Sequence, residues 1–241
     1  MSTVTVCYST HRPETLELTA GLMTDHDVII LEEPFHPDFQ AVLSGSIEIE
    51  EHLLELDIDY PAFMSGQYRL LQQLSQDGKE ILQVEPYLDL LIGIQYFLAE
   101  DHTPEEIEPG TPDFSVYQAE RDATGKLINY YKEVRGNDFS QILASMNTFA
   151  KADAARFILR DTLRAKRIME LLNPDKAAYI EAGSIHLLLH KLLAKNLSEQ
   201  WQLQTYSIDI QAMHILNCKG TLFSPGDELT LSYIFGQDIG R

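Results

Sequence analysis

Val4-Thr5-Val6-Cys7-Tyr8-Ser9-Thr10-His11-Arg12-Pro13 and Ala178-Tyr179-Ile180-Glu181-Ala182-Gly183-Ser184-Ile185-His186 are written on one plan. Each opens with a short apolar run, turns through small residues, presents a histidine and leads into a helical pattern. Two more apolar runs end in acids. Val28-Ile29-Ile30-Leu31 ends in Glu32-Glu33, and Ile81-Leu82-Gln83-Val84 ends in Glu85. Strands alternating with helices predict an α/β fold with a central, mainly parallel sheet flanked by helices. Ligands of such sheets sit at the carboxyl ends of the strands. The pattern therefore gathers His11, His186 and the acids after the strands at one crevice. Carboxylates and imidazoles brought together suit a metal site or acid–base chemistry.

Working outward, Pro13 opens a helix over 13–25, and Ser46 and Pro61 start helices over 46–56 and 61–75. Pro86 starts a largely apolar helix to about 100, whose partners should cover most of its circumference. A loop rich in proline, glycine and acids follows at 101–113. Helical periodicity then runs over 113–172, with breaks expected near Gly125 and near Gly136-Asn137. A final unit pairs a strand at 177–182, a helix at 184–196 and a strand at 201–210. Ser224-Pro225-Gly226-Asp227 reads as a capped helix start, against a competing strand alternation over 230–235. The chain is expected to form a single α/β domain over 1–241, with 38–76 and 101–150 as mainly helical insertions.

Eighteen basic against 37 acidic residues leave a net charge of −19, which repels phosphate backbones and argues against nucleic acid. The acids concentrate at 48–59 and 100–108, and a solvated surface is the first expectation for them. No apolar run is long enough to span a bilayer, and no leader pattern opens the chain, so a cytoplasmic protein is expected. Two cysteines, Cys7 and Cys218, make neither a disulfide framework nor a zinc motif. Phosphate-binding glycine loops, dinucleotide fingerprints and the serine-hydrolase elbow are absent.

Among single residues, His186 and His190 share a helix face, but Leu187-Leu188-Leu189 lie between them without a catalytic glutamate. His190 is read as structural. Strand alternation puts Glu32 and Glu33 on opposite faces, so one of them should point inward. Arg156, Arg160, Arg164 and Arg167 form a helical stripe. Arg160, beside Asp161, is the expected inward member, and the others pair with acids at the surface.

Ser9-Thr10-His11-Arg12-Pro13, the acids after the second strand, Arg160-Asp161 and Gly183-Ser184-Ile185-His186 resemble the TraB/Tiki and ChaN/erythromycin-esterase-like superfamily. The similarity touches both ends of the chain and the helix over 157–172, and leaves about 40–150 unmatched. Tyr8 stands where the first Gly-x-x-His of that pattern has its glycine. The resemblance implies a parallel α/β fold and a cleft carrying His11, Glu32 or Glu33, and His186. Its members include metal-dependent proteases, esterases and haem binders.

The leading expectation is a hydrolase of peptide or ester substrates. A divalent ion (manganese, zinc or cobalt) held by His11, Glu33 and His186 would activate water, with Glu85 or Glu181 as base. Without metal, a histidine would activate water and Arg160 would steady the oxyanion. The alternatives are a non-catalytic haem, iron or small-ligand binder using Tyr8, Tyr179, His11 and His186, and an interaction protein presenting the 40–75 helices and the acidic 100–110 loop. A homodimer is left open.

Overall fold

A computed structural model describes residues 2–56 and 60–236; the last three positions of the acidic stretch 48–59 lie outside them. The protein is α/β, with five parallel strands in the order β3-β2-β4-β1-β5. The strands are β1 (Ser2–Ser9), β2 (Val28–Leu31), β3 (Glu80–Gln83), β4 (Ala178–Gly183) and β5 (Trp201–Ser207). The helices are α1 (Leu16–Thr24), α2 (Phe39–Leu43), α3 (Ile49–Glu55), α4 (Pro61–Gln76), α5 (Pro86–Ala99), α6 (Pro112–Val134), α7 (Phe139–Leu171), α8 (Leu187–Asn196), α9 (Ile208–Ile215) and α10 (Pro225–Gly236).

The central strands are buried on both faces, which is why they read as nearly continuous apolar runs. Alternation divides them between two cores. Cys7, Ile29, Leu31, Ile81 and Tyr179 pack under α1–α4. Val4, Val6, Ile30, Ala178 and Ile180 pack under α8 and the end of α7, through Leu189, Leu193, Ala165 and Ile168. The connection leaving β1 therefore covers one face and the connection leaving β4 covers the other. Because β1 and β4 are neighbours, in register from Val4↔Ala178 to Ser9↔Gly183, their carboxyl ends are the topological switch point of the sheet.

The chain divides into two compact units. One holds the sheet and comprises the chain to Glu85 with Ala165–Leu222; the other comprises Pro86–Arg164 and the chain from Phe223. The second unit is helical, with Tyr87, Ile94, Ile107 and Val116 at its centre and Leu159 and Leu163 against them. Tyr87 donates its hydroxyl to Glu120 at 2.8 Å. Arg156 binds Asp153, whose other oxygen accepts from Thr230 at 3.1 Å. No helix among the described residues is long and apolar enough to cross a membrane.

Four local expectations are corrected. The strand expected over 201–210 stops at Ser207, and α9 follows it, because Ile208 and Ala212 fall one turn apart on a buried helical face. Gly125 lies inside the unbroken 23-residue α6; the break comes only after Val134. One side of α5 is open, with Ile92 and Tyr96 exposed, since its core contacts lie on the opposite side. Arg164, not Arg160, is the fully buried arginine of the stripe, and Asp161 is buried too. The surface pairing of Arg167 with Glu170 is present, whereas Arg156 pairs with a buried Asp153. At the tail the helical reading holds: Ser224 and Asp227 cap α10 reciprocally.

Gly125 sits exposed in mid-helix with nothing within 4 Å of where a Cβ would stand. Gly125→Ala should therefore stabilise the protein by about 0.5–1 kcal/mol, read as a higher denaturation midpoint. A lower midpoint would mean that α6 is not continuous there.

Candidate functional site

The turns after β1 and β4 are tied together at the switch point. Ser184 donates its amide to the Ser9 carbonyl at 3.1 Å. Thr10 and Ser184 donate their hydroxyls to the two oxygens of one buried carboxylate, Asp209, at 2.5 and 3.3 Å. Asp209 was hidden from sequence reading because its segment reads as strand. In the first turn His11 adopts φ +54°, a left-handed conformation uncommon outside glycine and enriched for histidine and asparagine. Its amide donates to the Ser9 hydroxyl at 3.0 Å, which steadies this backbone. The imidazole packs on Phe63 and Tyr60, at 5.1 and 5.6 Å between ring centres. These residues line an open groove of about 460 Å³ formed by 10–13 and 60–63.

The second turn carries the carboxylate network. His186 is 2 % exposed and meets Glu32 at 3.0 Å, Nε2 to Oε1. The other Glu32 oxygen accepts the Gly183 amide at 2.5 Å. A Cβ on Gly183 would make ordinary contacts of 3.5–3.7 Å with His186 and Glu32, and Gly183 does not have a positive φ. The turn itself therefore does not demand glycine. Glu181, on β4, accepts the Glu32 amide at 3.2 Å and the Gln67 amide at 2.5 Å.

Glu33 is the third member. Its Oε2 accepts from Gln83 at 2.9 Å and from Tyr68 at 3.0 Å. Its Oε1 is buried and has no hydrogen-bond partner. Burial pushes this carboxyl up from its ordinary range to about 7, against the two donors and with Glu181 adding repulsion. β2 ends at Leu31, and beyond it both side chains are buried, Glu32 against His186 and Glu33 against Tyr68 and Gln83. That corrects the expectation of one inward acid.

The network extends away from the switch point. Gln83 accepts the His36 amide at 2.9 Å. The His36 ring meets His52 edge-on at 4.7 Å, and His52 lies 5.4 Å from Tyr68. Sequence reading missed Gln67, Tyr68, Gln83, His36 and His52, whose side chains carry no local signature.

The expected site residues separate into groups. Glu181 and His186 are joined through Glu32, by hydrogen bond and ion-pair contact, while Glu33 is bonded to Tyr68 and Gln83 and feels the Glu181 charge beside it. His11 sits at the same end of the sheet, in the aromatic groove. Glu85 is fully buried after β3. Arg160 lies on α7 in the helical unit. His11, Glu33 and His186 do not fit a shared metal ion: Nε2 of His186 faces Glu32, and the His11 ring is packed on Tyr60 and Phe63. Among the described residues the group with ligand atoms within 4.8 Å of one another is instead His36, Asp38 and Glu55. Tyr179, expected as an iron ligand, is 1 % exposed and shares a hydrogen bond with the Cys7 thiol. The thiol itself is pushed up to about 12 by burial. His190 is half-buried on α8, and His26 is a satisfied core histidine, 2.7 Å from both Leu22 O and the Thr5 hydroxyl.

No protein-family model matches the chain, and no solved structure matches it. The chain is similar to a protein of Archaeoglobus fulgidus described only as uncharacterised. The two are 28 % identical over 235 residues, which covers 97 % of this chain and 76 % of the archaeal one.

Proposed function

We propose that the chain is a hydrolase of acyl substrates, esters or peptides, with Glu33 as general base and the His186–Glu32 pair beside it. The observation that carries this reading is Glu33 itself. One oxygen is anchored by Tyr68 and Gln83, the other is unpartnered, and the carboxyl titrates near neutrality. A base with that pKa is half ionised at working pH and strong enough to take a proton from water. Water loses its proton to Glu33 as its oxygen bonds the acyl carbon. The bond to the leaving group then breaks, and the proton returns to that group. Glu32 orients the His186 imidazole, and Glu181 is held by Gln67 as a fixed neighbouring charge. His11 and its aromatic groove would receive an apolar portion of the substrate.

The test is a panel of chromogenic esters and labelled peptides assayed between about pH 5 and 9. Turnover that rises through about pH 7 is expected from a base of this pKa. A panel without turnover at any pH would reject the reading. The family resemblance in the first and last strand–turn–histidine units supports the same class.

A further inference from the structure

We propose that His36, Asp38, Glu55 and His52 form a binding site for one divalent transition-metal ion, with zinc the best match. The site is separate from the carboxylate cluster at the switch point and does not depend on the hydrolase reading. His36 and Asp38 come from the loop after β2; His52 and Glu55 are one turn apart on α3 and so share a helix face. One ligand atom from each of His36, Asp38 and Glu55 lies within 4.8 Å of the others.

The independent observation is His52. It is 1 % exposed, and neither ring nitrogen has a hydrogen-bond partner. An imidazole buried with both nitrogens unsatisfied is unfavourable by several kcal/mol at most and about one at least, so such groups are rare without a role. The ring faces the cluster. It stands edge-on to His36 at 4.7 Å, and the ionisable groups that act on it are those of His36, Asp38 and Glu55. His52 lies outside the group within 4.8 Å, and on binding its ring would turn to bring a nitrogen to the ion held by the other three.

The donor set selects the ion. Two imidazoles with two carboxylates suit zinc or a neighbouring first-row divalent ion, whereas calcium and magnesium prefer all-oxygen shells. The two acids neutralise the double charge. Asp38 and His36 are half-buried and Glu55 is exposed, so an ion can enter from solvent. Bound there, it would clamp α3 to the loop after β2. That loop leads back through the His36 amide and Gln83 to Glu33.

The experiment is a zinc titration of chelator-treated full-length protein, read by competition with a chromophoric chelator and by metal analysis after dialysis. One zinc per chain is expected, with affinity lowered at least roughly tenfold in Glu55→Gln and in His52→Gln. Glu55 is exposed, so its variant should fold, and circular dichroism checks both. Cobalt should give a visible d–d spectrum that is lost in His52→Gln. No binding to the folded wild-type protein, or binding equally tight in both variants, would overturn the proposal.

Discussion

Glu33→Gln should lose at least about a hundredfold of any turnover and at the same time gain stability relative to the natural protein as pH rises from about 5 to 8. The first effect follows because a positioned general base typically contributes a hundredfold or more. The second follows from where the proton goes. In the folded chain Glu33 keeps its proton up to about pH 7, and in the unfolded chain a glutamate releases it near 4.5. A raised folded pKa favours folding in full below the unfolded value. That contribution shrinks as pH rises from about 4.5 to 7 and is gone above it. The full swing is on the order of 3 kcal/mol. Gln has the same shape, can accept from Tyr68 and Gln83, and never charges. Denaturation at about pH 5 and pH 8 should therefore show the variant gaining relative to wild type at the higher pH. Parallel behaviour at both values would mean that Glu33 is an ordinary carboxylate.

The second large effect is expected at His186. Viewed from the sequence alone, His186→Ala should remove activity with little loss of folding. The structure changes that expectation, because the imidazole is almost fully buried and pairs at 3.0 Å with Glu32, whose side chain is 6 % exposed. Removing one partner of a buried pair typically costs about 3–5 kcal/mol. His186→Ala should thus lower the denaturation midpoint strongly. Adding Glu32→Gln should recover part of the loss, because the amide can still accept from Gly183 without a buried charge. If the double variant is as unstable as the sum of the two single ones, the His186–Glu32 contact is not the source of the cost. A folded but inactive Glu32→Gln would separate positioning of the imidazole from stability.

Sequence carried the strands well because their signal is local. Val28–Leu31 and Ala178–Gly183 are apolar over nearly their whole length, since helices cover both sides of a parallel sheet. The same argument located Glu32, Glu33, Glu181 and His186 at strand ends. The partners that give those residues their character are not local. Gln67 reaches Glu181 across 114 positions, Tyr68 reaches Glu33 across 35, and Gln83 reaches it across 50. A glutamine or tyrosine on a helix reads as surface or core until the fold places it. Ile208-Asp209-Ile210 imitates strand alternation, so α9 and Asp209 were both missed. In the arginine stripe spacing fixes the face and not the depth, so Arg164 could not be told from Arg160.

The strand order also dictates when the protein can come into being. β1 and β2 are not neighbours; β4 fills the place between them, and β5 covers the other side of β1. While a ribosome is still making the first half of the chain, only the β2–β3 pair can form, and β1 waits with both edges bare. Its pairing must close over about 170 residues, the kind of distant contact that slows folding and leaves strand edges open to other chains. A nascent chain halted before Ala178 therefore has no sheet to hold its first strand, and the turn bearing His11 is set only when one of the last strands emerges.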